Sequence, residues 1–382
     1  MTIQTLEDLK NKKVFILGLG KTGDASAQFC AFYHMDVYAW DESSDRRHDM
    51  TNVNLQDPKD IAFSKDWYFM KSPGIADDHD VVQKARDAGV TFLSDVDLLY
   101  LRHPKATFIG VTGTNGKSTT TALLGHLLQQ ADYDVAVGGN IGTAALALPS
   151  VGSGGIYVLE MSSYQLEHTK YIHFNRAAII NLSPDHLERH GDMVGYLAAK
   201  ANIFKHQQSG DISVLGVDCP ELETLAVVLG MDTTTLRRVT VENKVAEYMV
   251  NGDGILKNAK GEKIANLTLA KNLPGKHNWQ NSATAWALLE GLITREQFAR
   301  SIESFPGLAH RLKTVKQLGD VRFVDDSKAT NPEAAICALK SFEKNVLWIA
   351  GGQPKAEGLG DCVKHLDAVD CLLYTSPSPR DA

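Results

Sequence analysis

The stretch Ala106–Ala131, ATFIGVTGTNGKSTTTALLGHLLQQA, decides the fold of the central part of the chain. It begins as an apolar segment of strand type, passes through a glycine-containing turn, and continues with the periodicity of an amphipathic helix. The apolar face of this helix carries Leu123, Leu124, Leu127 and Leu128. A buried strand that leads through a glycine turn into a helix predicts an α/β fold with a phosphate-binding loop.

The turn between this strand and helix reads Gly113-Thr114-Asn115-Gly116-Lys117-Ser118-Thr119. Glycines let backbone N–H groups close around an anion, and the start of the helix adds a positive field. We expect the Lys117 ammonium to reach the outer phosphates of a nucleotide and the Ser118 hydroxyl to bind magnesium. A full Walker pattern would begin with glycine where the chain has Val111, so the loop matches a shorter GxxGKS form. The flanking strand and helix favour binding of ATP or GTP over a chance loop of small residues.

The composition is that of an ordinary soluble protein, with 43% hydrophobic and 22% charged residues. A length of 382 residues predicts two or three domains. The net charge of −7 gives no electrostatic footprint for nucleic acid, and no apolar run approaches the length of a membrane span. The start MTIQTLEDLKNKK has no apolar signal region, and the five cysteines have no CxxC spacing. We therefore expect a cytoplasmic protein with reduced thiols.

A second glycine loop follows the apolar segment Lys13–Leu17 near the N-terminus. The loop reads Gly18-Leu19-Gly20-Lys21-Thr22-Gly23, and a second strand-type segment, Asp36–Trp40, ends at Asp41. GxGxxG between a strand and a helix, with an acid about twenty residues later, is the fingerprint of dinucleotide binding. The loop needs only a diphosphate, and Asp41 needs only a ribose or base donor. A nucleotide-diphosphate sugar therefore fits the pattern as well as a nicotinamide dinucleotide.

Further polar side chains follow apolar segments of strand type. Asn140 lies in the glycine loop GGNIG, Glu160 lies at the C-terminal end of the segment IYVLEM, and His186 follows AAIINL. Because the carboxyl ends of parallel strands share one edge of a sheet, Glu160 and His186 are candidate metal ligands beside the phosphate loop. A solvated carboxylate and a structural histidine are the alternatives. Lys200 lies in the mostly apolar helical segment YLAAKANIF, where its chemistry alone indicates an ammonium that extends to solvent.

Several motifs in a fixed order resemble the Mur ligases, and the resemblance reaches from the N-terminus to about Gly360. These motifs are TGTNGKST, GGNIG, LEMSSYQLE, DHLERH, LPGKHNWQN, GLAHR and DDSKATN. Within the family, GLGKTG, SPGIA and DSKATN are similar to the branch that adds D-glutamate. The resemblance implies a monomeric cytoplasmic enzyme of peptidoglycan precursor synthesis. Such an enzyme joins D-glutamate to UDP-N-acetylmuramoyl-L-alanine through an acyl phosphate, and it needs ATP and two magnesium ions.

The same resemblance implies roles for individual residues. The UDP substrate would contact Gly18, Gly20, Lys21, Thr22, Gly23, Asp41, Ser72 and Asn140. ATP would contact Gly113, Thr114, Asn115, Gly116, Lys117, Ser118, Thr119, Asn278, Asn281, Arg311 and Asp326. D-Glutamate would contact Lys328, Thr330 and Lys355, and magnesium would contact Ser118, Glu160, His186 and a carbamylated Lys200. Catalysis would depend on Lys117, His186, Lys200 and Arg311.

The resemblance also implies an α/β fold with the three-domain Mur ligase architecture. Its parts would be a Rossmann-like UDP-binding domain (1–103), a central P-loop ATPase domain (104–306) and a Rossmann-like C-terminal domain (307–382). The central domain would carry a hairpin around Asn251–Lys263. The segment Leu372–Ala382 has two prolines and no strand or helix period, which predicts an incomplete third domain that ends in an unrelated tail. A folylpolyglutamate-synthase-like ligase and a non-catalytic nucleotide-binding remnant are the alternatives.

Overall fold

The computed structural model describes residues 3–230, 234–242, 244–351 and 359–375. Its contacts group the chain into two compact units, Met1–Arg237 and Arg238–Ala382. The first unit contains two separate sheets, so the predicted boundary near residue 103 falls between them. The division into three domains stays a prediction.

The first sheet is parallel and has the strand order β3-β2-β1-β4-β5. Its strands are β1 (Lys13–Leu17), β2 (Asp36–Trp40), β3 (Val53–Leu55), β4 (Trp67–Lys71) and β5 (Thr91–Phe92). Its helices are α1 (Lys21–Phe32), α2 (Asp80–Asp87) and α3 (Asp95–Arg102). Phe15 and Phe69 from the central strands pack with Trp67 in a buried aromatic core on one face. The glycine loop after β1 therefore starts from a rigid, buried strand.

The second sheet of the first unit is also parallel, with the order β10-β9-β6-β8-β7. Its strands are β6 (Thr107–Thr112), β7 (Val135–Gly139), β8 (Ile156–Glu160), β9 (Arg176–Ile179) and β10 (Ile212–Gly216). Its helices are α4 (Lys117–Gln129), α5 (Ser163–Leu166), α6 (Leu187–His190), α7 (Met193–Ala201) and α8 (Pro220–Leu229). The predicted apolar face of α4 is confirmed, because all four of its leucines are buried. Since β6 lies between β8 and β9, the carboxyl ends of these three strands share one edge.

The second unit begins within β11 (Thr235–Thr240), which pairs in parallel with β12 (Tyr248–Val250). The strands β13 (Ile255–Asn258) and β14 (Lys263–Asn266) continue this sheet in antiparallel pairs. The hairpin predicted around Asn251–Lys263 is therefore confirmed. The helices α9 (Lys276–Leu289) and α10 (Arg295–Glu303) follow, and α9 is buried along nearly its whole length.

The last part of the second unit contains two small sheets and one helix. The strands β15 (Lys313–Leu318) and β16 (Val321–Asp325) form an antiparallel hairpin, which α11 (Pro332–Leu339) follows. The strands β17 (Val346–Gly351) and β18 (Val369–Thr375) pair in parallel. The expectation of no strand in the segment from Leu372 is wrong as far as Thr375, because backbone pairing with β17 imposes strand structure where the side-chain pattern is weak. Residues 376–382 lie outside the described residues.

Among the described residues, every helix is too short or too polar to cross a lipid bilayer.

Candidate functional site

The phosphate loop joins β6 to α4 and contains two glycines with positive φ angles. The φ angle is +152° at Gly113 and +83° at Gly116, values that a residue with a Cβ atom rarely adopts. The Lys117 ammonium folds back over the loop and donates hydrogen bonds to the carbonyl oxygens of Gly113, at 2.9 Å, and Thr114, at 2.6 Å. The loop thus holds its cation close to where phosphate oxygens would bind.

The loop is also fixed from the neighbouring segment after β9. The Asn115 N–H donates to the side-chain oxygen of Asn181 at 2.9 Å. The Thr114 hydroxyl donates to the Ser183 carbonyl at 3.1 Å and accepts from the Ser183 N–H at 3.0 Å. Sequence reasoning missed the roles of Asn181 and Ser183, although Asn181 lies near the end of the apolar segment AAIINL and Ser183 follows it, where polar strand-end residues are expected.

Lys200 points inward, so the interpretation of a lysine that extends to solvent is wrong. Its side chain is 1% exposed, and its ammonium donates to the Gly113 carbonyl oxygen at 2.9 Å. It also lies 4.4 Å from the ring centre of Tyr196. Burial lowers the pKa of Lys200 well below the usual lysine range, the Lys117 charge lowers it further, and Asp185 opposes both. The buried face of α7 therefore brings the Lys200 nitrogen to the phosphate loop.

Glu160 ends β8 and is buried beside the end of β6. One of its carboxylate oxygens, Oε1, accepts a hydrogen bond from the Asn140 side chain at 2.7 Å. The other oxygen, Oε2, is buried and has no hydrogen-bond partner among the described residues. A buried carboxylate oxygen without a partner is costly unless a cation or ligand satisfies it. Glu160 therefore has the environment of a metal ligand.

His186 immediately precedes α6 and has a φ of +55°, a left-handed backbone angle at a residue other than glycine. Its ring lies 5.1 Å from the ring of Tyr164. Its Nε2 atom lies 3.5 Å from Asp185 and its Nδ1 atom lies 3.7 Å from Glu188. The prediction that Lys117, Glu160 and His186 follow strands at one edge of a sheet is confirmed by the strand order.

The first sheet carries a separate cleft of about 580 Å³ at the carboxyl ends of its strands. Six of the residues predicted to bind the UDP substrate line it, namely Gly18, Gly20, Lys21, Thr22, Asp41 and Ser72. Buried Asp41 accepts hydrogen bonds from the N–H groups of Leu19, at 2.7 Å, and Ser43, at 2.9 Å. Asp41 thus shapes the glycine loop itself. Asn140 lies elsewhere, at the end of β7 beside Glu160.

Gly23, the third glycine of the first loop, lies inside α1 and has no room for a side chain. A Cβ atom there would lie 1.8 Å from the carbonyl oxygen of Gly18. We expect Gly23→Ala to lower the free energy of unfolding by about 3 kcal/mol, because backbone atoms have to move. Urea denaturation monitored by circular dichroism measures this change.

Gly20 provides the matched control for this substitution. A Cβ atom at Gly20 meets no heavy atom within 4 Å, and the φ of −77° suits any residue. Gly20→Ala should change the free energy of unfolding by no more than about 0.5 kcal/mol. Equal destabilisation by both substitutions would contradict this account of the loop.

In the second unit, the segments GLAHR and DDSKATN meet. The Leu312 N–H donates to Asp326 at 3.0 Å, and the Lys328 N–H donates to the His310 carbonyl at 3.2 Å. Burial raises the pKa of Asp326, while the Leu312 N–H and Arg311 lower it. The fold thus brings Arg311, Asp326 and Lys328 into one small region. Thr330 lies exposed just before α11.

Asn278 and Asn281 lie in the first turns of α9 and are buried. The Asn278 side chain donates to the Pro274 carbonyl at 2.7 Å, and the Asn281 side chain donates to Asn278 at 3.0 Å. Within the part of the chain that the structure describes, the buried side-chain oxygen of Asn281 has no hydrogen-bond partner. This pair is therefore a candidate for base recognition. Lys355 lies outside the described residues.

Comparison with known proteins places these features in one family. The sequence model of the Mur ligase middle domain matches residues 111–289. The chain is 42% identical over 371 residues to the UDP-N-acetylmuramoylalanine–D-glutamate ligase of Caulobacter sp. (strain K31), covering 93% of the chain and 79% of that protein. It is 41% identical over 375 residues to the ligase of the same name from Phenylobacterium zucineum (strain HLK1), covering 92% of the chain and 78% of that protein.

Solved structures show the same fold at lower sequence identity. The UDP-N-acetylmuramate–alanine ligase MurC of Thermotoga maritima matches with a TM-score of 0.62 and 19% identity, covering 96% of this chain and 86% of that chain. The MurF ligase of Thermotoga maritima in complex with ADP matches with a TM-score of 0.58 and 19% identity, covering 85% and 84%. Both similarities are evidence for a shared fold only.

Proposed function

The chain belongs to the Mur ligase family, and from this premise we propose how its residues join D-glutamate to UDP-N-acetylmuramoyl-L-alanine. The reaction is an ATP-dependent C–N ligation in peptidoglycan precursor synthesis, the activity named for its relatives at about 40% identity. The observation that carries the residue assignment is the convergence of Lys117, Glu160 and His186 after neighbouring strands of one sheet.

The chemistry requires activation of a carboxylate, because oxide is too poor a leaving group for direct attack by an amine. We propose that an oxygen of the L-alanyl carboxylate attacks the γ-phosphorus of ATP, and ADP leaves. The resulting acyl phosphate is attacked at carbon by the D-glutamate amine, which loses a proton, and phosphate leaves as the amide forms. His186 or a phosphate oxygen accepts this proton. Catalysis of this kind depends mainly on positioning and on neutralisation of charge.

The phosphate loop supplies most of that positioning. We assign the backbone N–H groups of Gly113–Gly116 and the side chains of Lys117, Ser118 and Thr119 to the ATP phosphates. Lys117 already lies over the loop, where it donates to two carbonyl oxygens that a phosphate could replace as acceptors. A charge-assisted bond to phosphate is stronger than one to a neutral carbonyl, which favours this exchange.

Magnesium fits the residues at this edge of the sheet. Glu160 presents a buried oxygen without a partner, and the Ser118 hydroxyl lies at the start of α4. We assign one ion to these two residues and a second ion to His186 and Lys200. When bound, magnesium would neutralise negative charge on the nucleotide and on the transferred phosphoryl group.

Lys200 binds a cation only if its charge is reversed, and we propose that carbon dioxide does this. The uncharged amine adds to carbon dioxide, forms an N–C bond and releases one proton, which leaves an anionic carbamate. Burial of Lys200 and the proximity of Lys117 favour the uncharged amine. The carbamate would then supply an oxygen ligand, the kind that magnesium prefers.

The UDP part of the substrate is assigned to the cleft of the first sheet. The diphosphate would lie on the loop from Gly18 to Gly23, with Lys21 and Thr22 at the start of α1. Asp41 would contact the uracil, and Ser72 lies across the cleft, where it donates to the Gly18 carbonyl at 3.0 Å. Asn140, beside Glu160, would contact the muramoyl part.

The remaining assignments lie in the second unit. Asn278 and Asn281 would contact adenine, Asp326 the ribose and Arg311 the γ-phosphate. Lys328, Thr330 and Lys355 would contact D-glutamate. We further propose a cytoplasmic monomer that needs neither a membrane nor nucleic acid.

Phosphate release in the presence of UDP-N-acetylmuramoyl-L-alanine and ATP, with and without D-glutamate, tests the function. We expect sustained release only when all three are present, and little release when L-glutamate replaces D-glutamate. Release that depends on a folate and L-glutamate would indicate the folylpolyglutamate-synthase-like alternative. Binding of ATP without any release would indicate a non-catalytic nucleotide-binding protein.

A further inference from the structure

The half-buried Asp77 carboxylate contacts four basic side chains in the first unit. It lies 2.9 Å from Arg189, 3.1 Å from Arg86, 3.4 Å from Lys71 and 3.5 Å from the His168 ring. Lys71 and Arg86 belong to the part of the chain that forms the first sheet, whereas His168 and Arg189 follow strands of the second sheet. Asp77 therefore connects the part that carries the UDP cleft with the part that carries the phosphate loop.

This cluster is not suited to a metal ion. Asp77, Glu167 and His168 do place one possible ligand atom each within 4.8 Å of one another. However, Arg189 bonds to both carboxylates, at 2.9 Å and 3.0 Å, and a further cation would meet positive charge at close range. Burial raises the pKa of Asp77, but the surrounding basic groups together hold it below the usual range, so the carboxylate is charged. Three cationic side chains, those of Lys71, Arg86 and Arg189, already neutralise the two carboxylates.

Arg189 is hydrogen-bonded to the backbone of His186. The N–H groups of Arg189 and His190 both donate to the His186 carbonyl oxygen, at 3.1 Å and 3.2 Å. Their side chains are anchored in turn, since Arg189 contacts Asp77 and Glu167, and His190 contacts Glu167 at 3.0 Å. The short helix α6 is therefore held at its carboxyl end by ion pairs and carries His186 at its start.

The backbone of His186 needs such support. A φ of +55° at a residue with a Cβ atom costs on the order of 1 kcal/mol and persists only when the surroundings impose it. A four-residue helix cannot impose it alone, because its few internal hydrogen bonds are marginal in water. The ion pairs of Arg189 with Asp77 and Glu167 supply one such restraint, beside the contact of the Tyr164 ring with His186.

The same carboxylate lies close to the UDP cleft. The Lys71 ammonium, 3.4 Å from Asp77, donates to the carbonyl oxygen of Ile75 at 2.7 Å. Ile75 and Ser72 line the cleft, and the Ile75 N–H donates to the Ser72 carbonyl at 3.0 Å. Three contacts in series, Ile75–Lys71, Lys71–Asp77 and Asp77–Arg189, therefore connect the loop that lines the cleft with α6.

We propose that Asp77 is a positioning residue that fixes α6 through Arg189 and thereby holds His186 in place for phosphoryl transfer. This inference rests on the role assigned to His186 in the proposed function. Asp77 is not one of the residues assigned to the reaction, and it would act on His186 through its ion pair with Arg189. Outer partners that orient a metal ligand in this way typically contribute 10- to 100-fold to activity.

The test is Asp77→Asn, which removes the charge and keeps the shape. We expect kcat to fall about 10- to 100-fold and the half-saturating magnesium concentration to rise. The affinity for UDP-N-acetylmuramoyl-L-alanine should change less than about twofold, because Ser72 still donates to the Gly18 carbonyl and Lys71 to the Ile75 carbonyl. Asp78→Asn is the matched control, since this exposed neighbour should leave kcat unchanged.

The contact between the parts of the chain that form the first and second sheets should persist in Asp77→Asn. The Asp97 carboxylate separately accepts hydrogen bonds from the N–H groups of Lys170, Tyr171 and Ile172, at 2.8 to 3.2 Å. A melting temperature within a few degrees of the unsubstituted chain is therefore expected. A loss of UDP-substrate affinity as large as the loss of kcat would overturn the proposal, since it would indicate general disruption.

The variant His186→Ala allows the role of Asp77 to be tested separately from the proposed function. In His186→Ala, the further change Asp77→Asn should lower kcat less than twofold, because the side chain that it positions is absent. The same loss in both backgrounds, or no loss in the unsubstituted chain, would overturn the role of Asp77. Normal activity of His186→Ala alone would instead contradict the assignment of His186 in the proposed function.

Discussion

We expect Lys117→Ala to lower kcat by about 10³-fold or more, while the affinity for UDP-N-acetylmuramoyl-L-alanine stays nearly unchanged. Lys117 is the first residue of α4, and its ammonium lies over the phosphate loop, within 2.9 Å of two loop carbonyl oxygens. Its removal deletes a positive charge where the transferred phosphoryl group becomes most negative. The UDP cleft is formed by a different sheet and does not include Lys117.

Steady-state phosphate release gives kcat, and calorimetry with each ligand separately gives the two affinities. Lys105→Ala is the control, because this exposed lysine precedes the same strand without contact to the loop. Its kcat should match that of the unsubstituted chain. Equal loss of ATP and UDP-substrate affinity in Lys117→Ala would contradict the assignment of the two nucleotides to separate places.

The second large effect concerns Lys200, whose replacement by alanine should lower kcat by at least about 100-fold. The substitution removes the nitrogen that would carry the carbamate and leaves a buried space beside the Gly113 carbonyl. Acetate is small enough to enter such a space and supplies a carboxylate in place of the carbamate. Added acetate should therefore restore part of the activity of Lys200→Ala and have little effect on the unsubstituted chain.

A direct measurement accompanies the kinetics. With ¹³C-labelled bicarbonate, the unsubstituted chain should show a carbamate carbon resonance that Lys200→Ala lacks. Lys205→Ala, at an exposed position one turn later, should retain both the resonance and the activity. Full activity of Lys200→Ala would disprove the carbamate, whereas a lack of rescue by acetate alone would not.

Strands and loops of this protein were predictable from the sequence where local chemistry decides them. The bounds of β1 and β2 follow from continuous apolar residues, and both glycine loops lie where the strand-to-helix patterns place them. The β18 strand was missed, because its pairing with β17 is imposed by a partner more than twenty residues away in sequence. Periodicity over a short window does not contain that information.

Side-chain partners were harder to predict than elements. Lys200 was placed in the right helix but on the wrong side of it, because the sequence does not show which face of a mostly apolar helix meets the phosphate loop. The ion pair of Asp77 with Arg189 joins residues 112 positions apart. No motif indicates it, since each residue alone is typical of a solvated charge. Such contacts can be identified only from the three-dimensional structure, in which the segments of both sheets are positioned.

The carbonyl oxygen of Gly113 accepts hydrogen bonds from both Lys117 and Lys200, and under the proposed carbamylation this predicts an order of binding. Carbon dioxide reacts only with an uncharged amine, which the charge on Lys117 favours. A bound triphosphate would draw Lys117 away and bring negative charge that favours the protonated Lys200. We therefore expect carbon dioxide to react with Lys200 before the nucleotide binds. The concentration of dissolved carbon dioxide would then set the fraction of protein that is active when turnover begins.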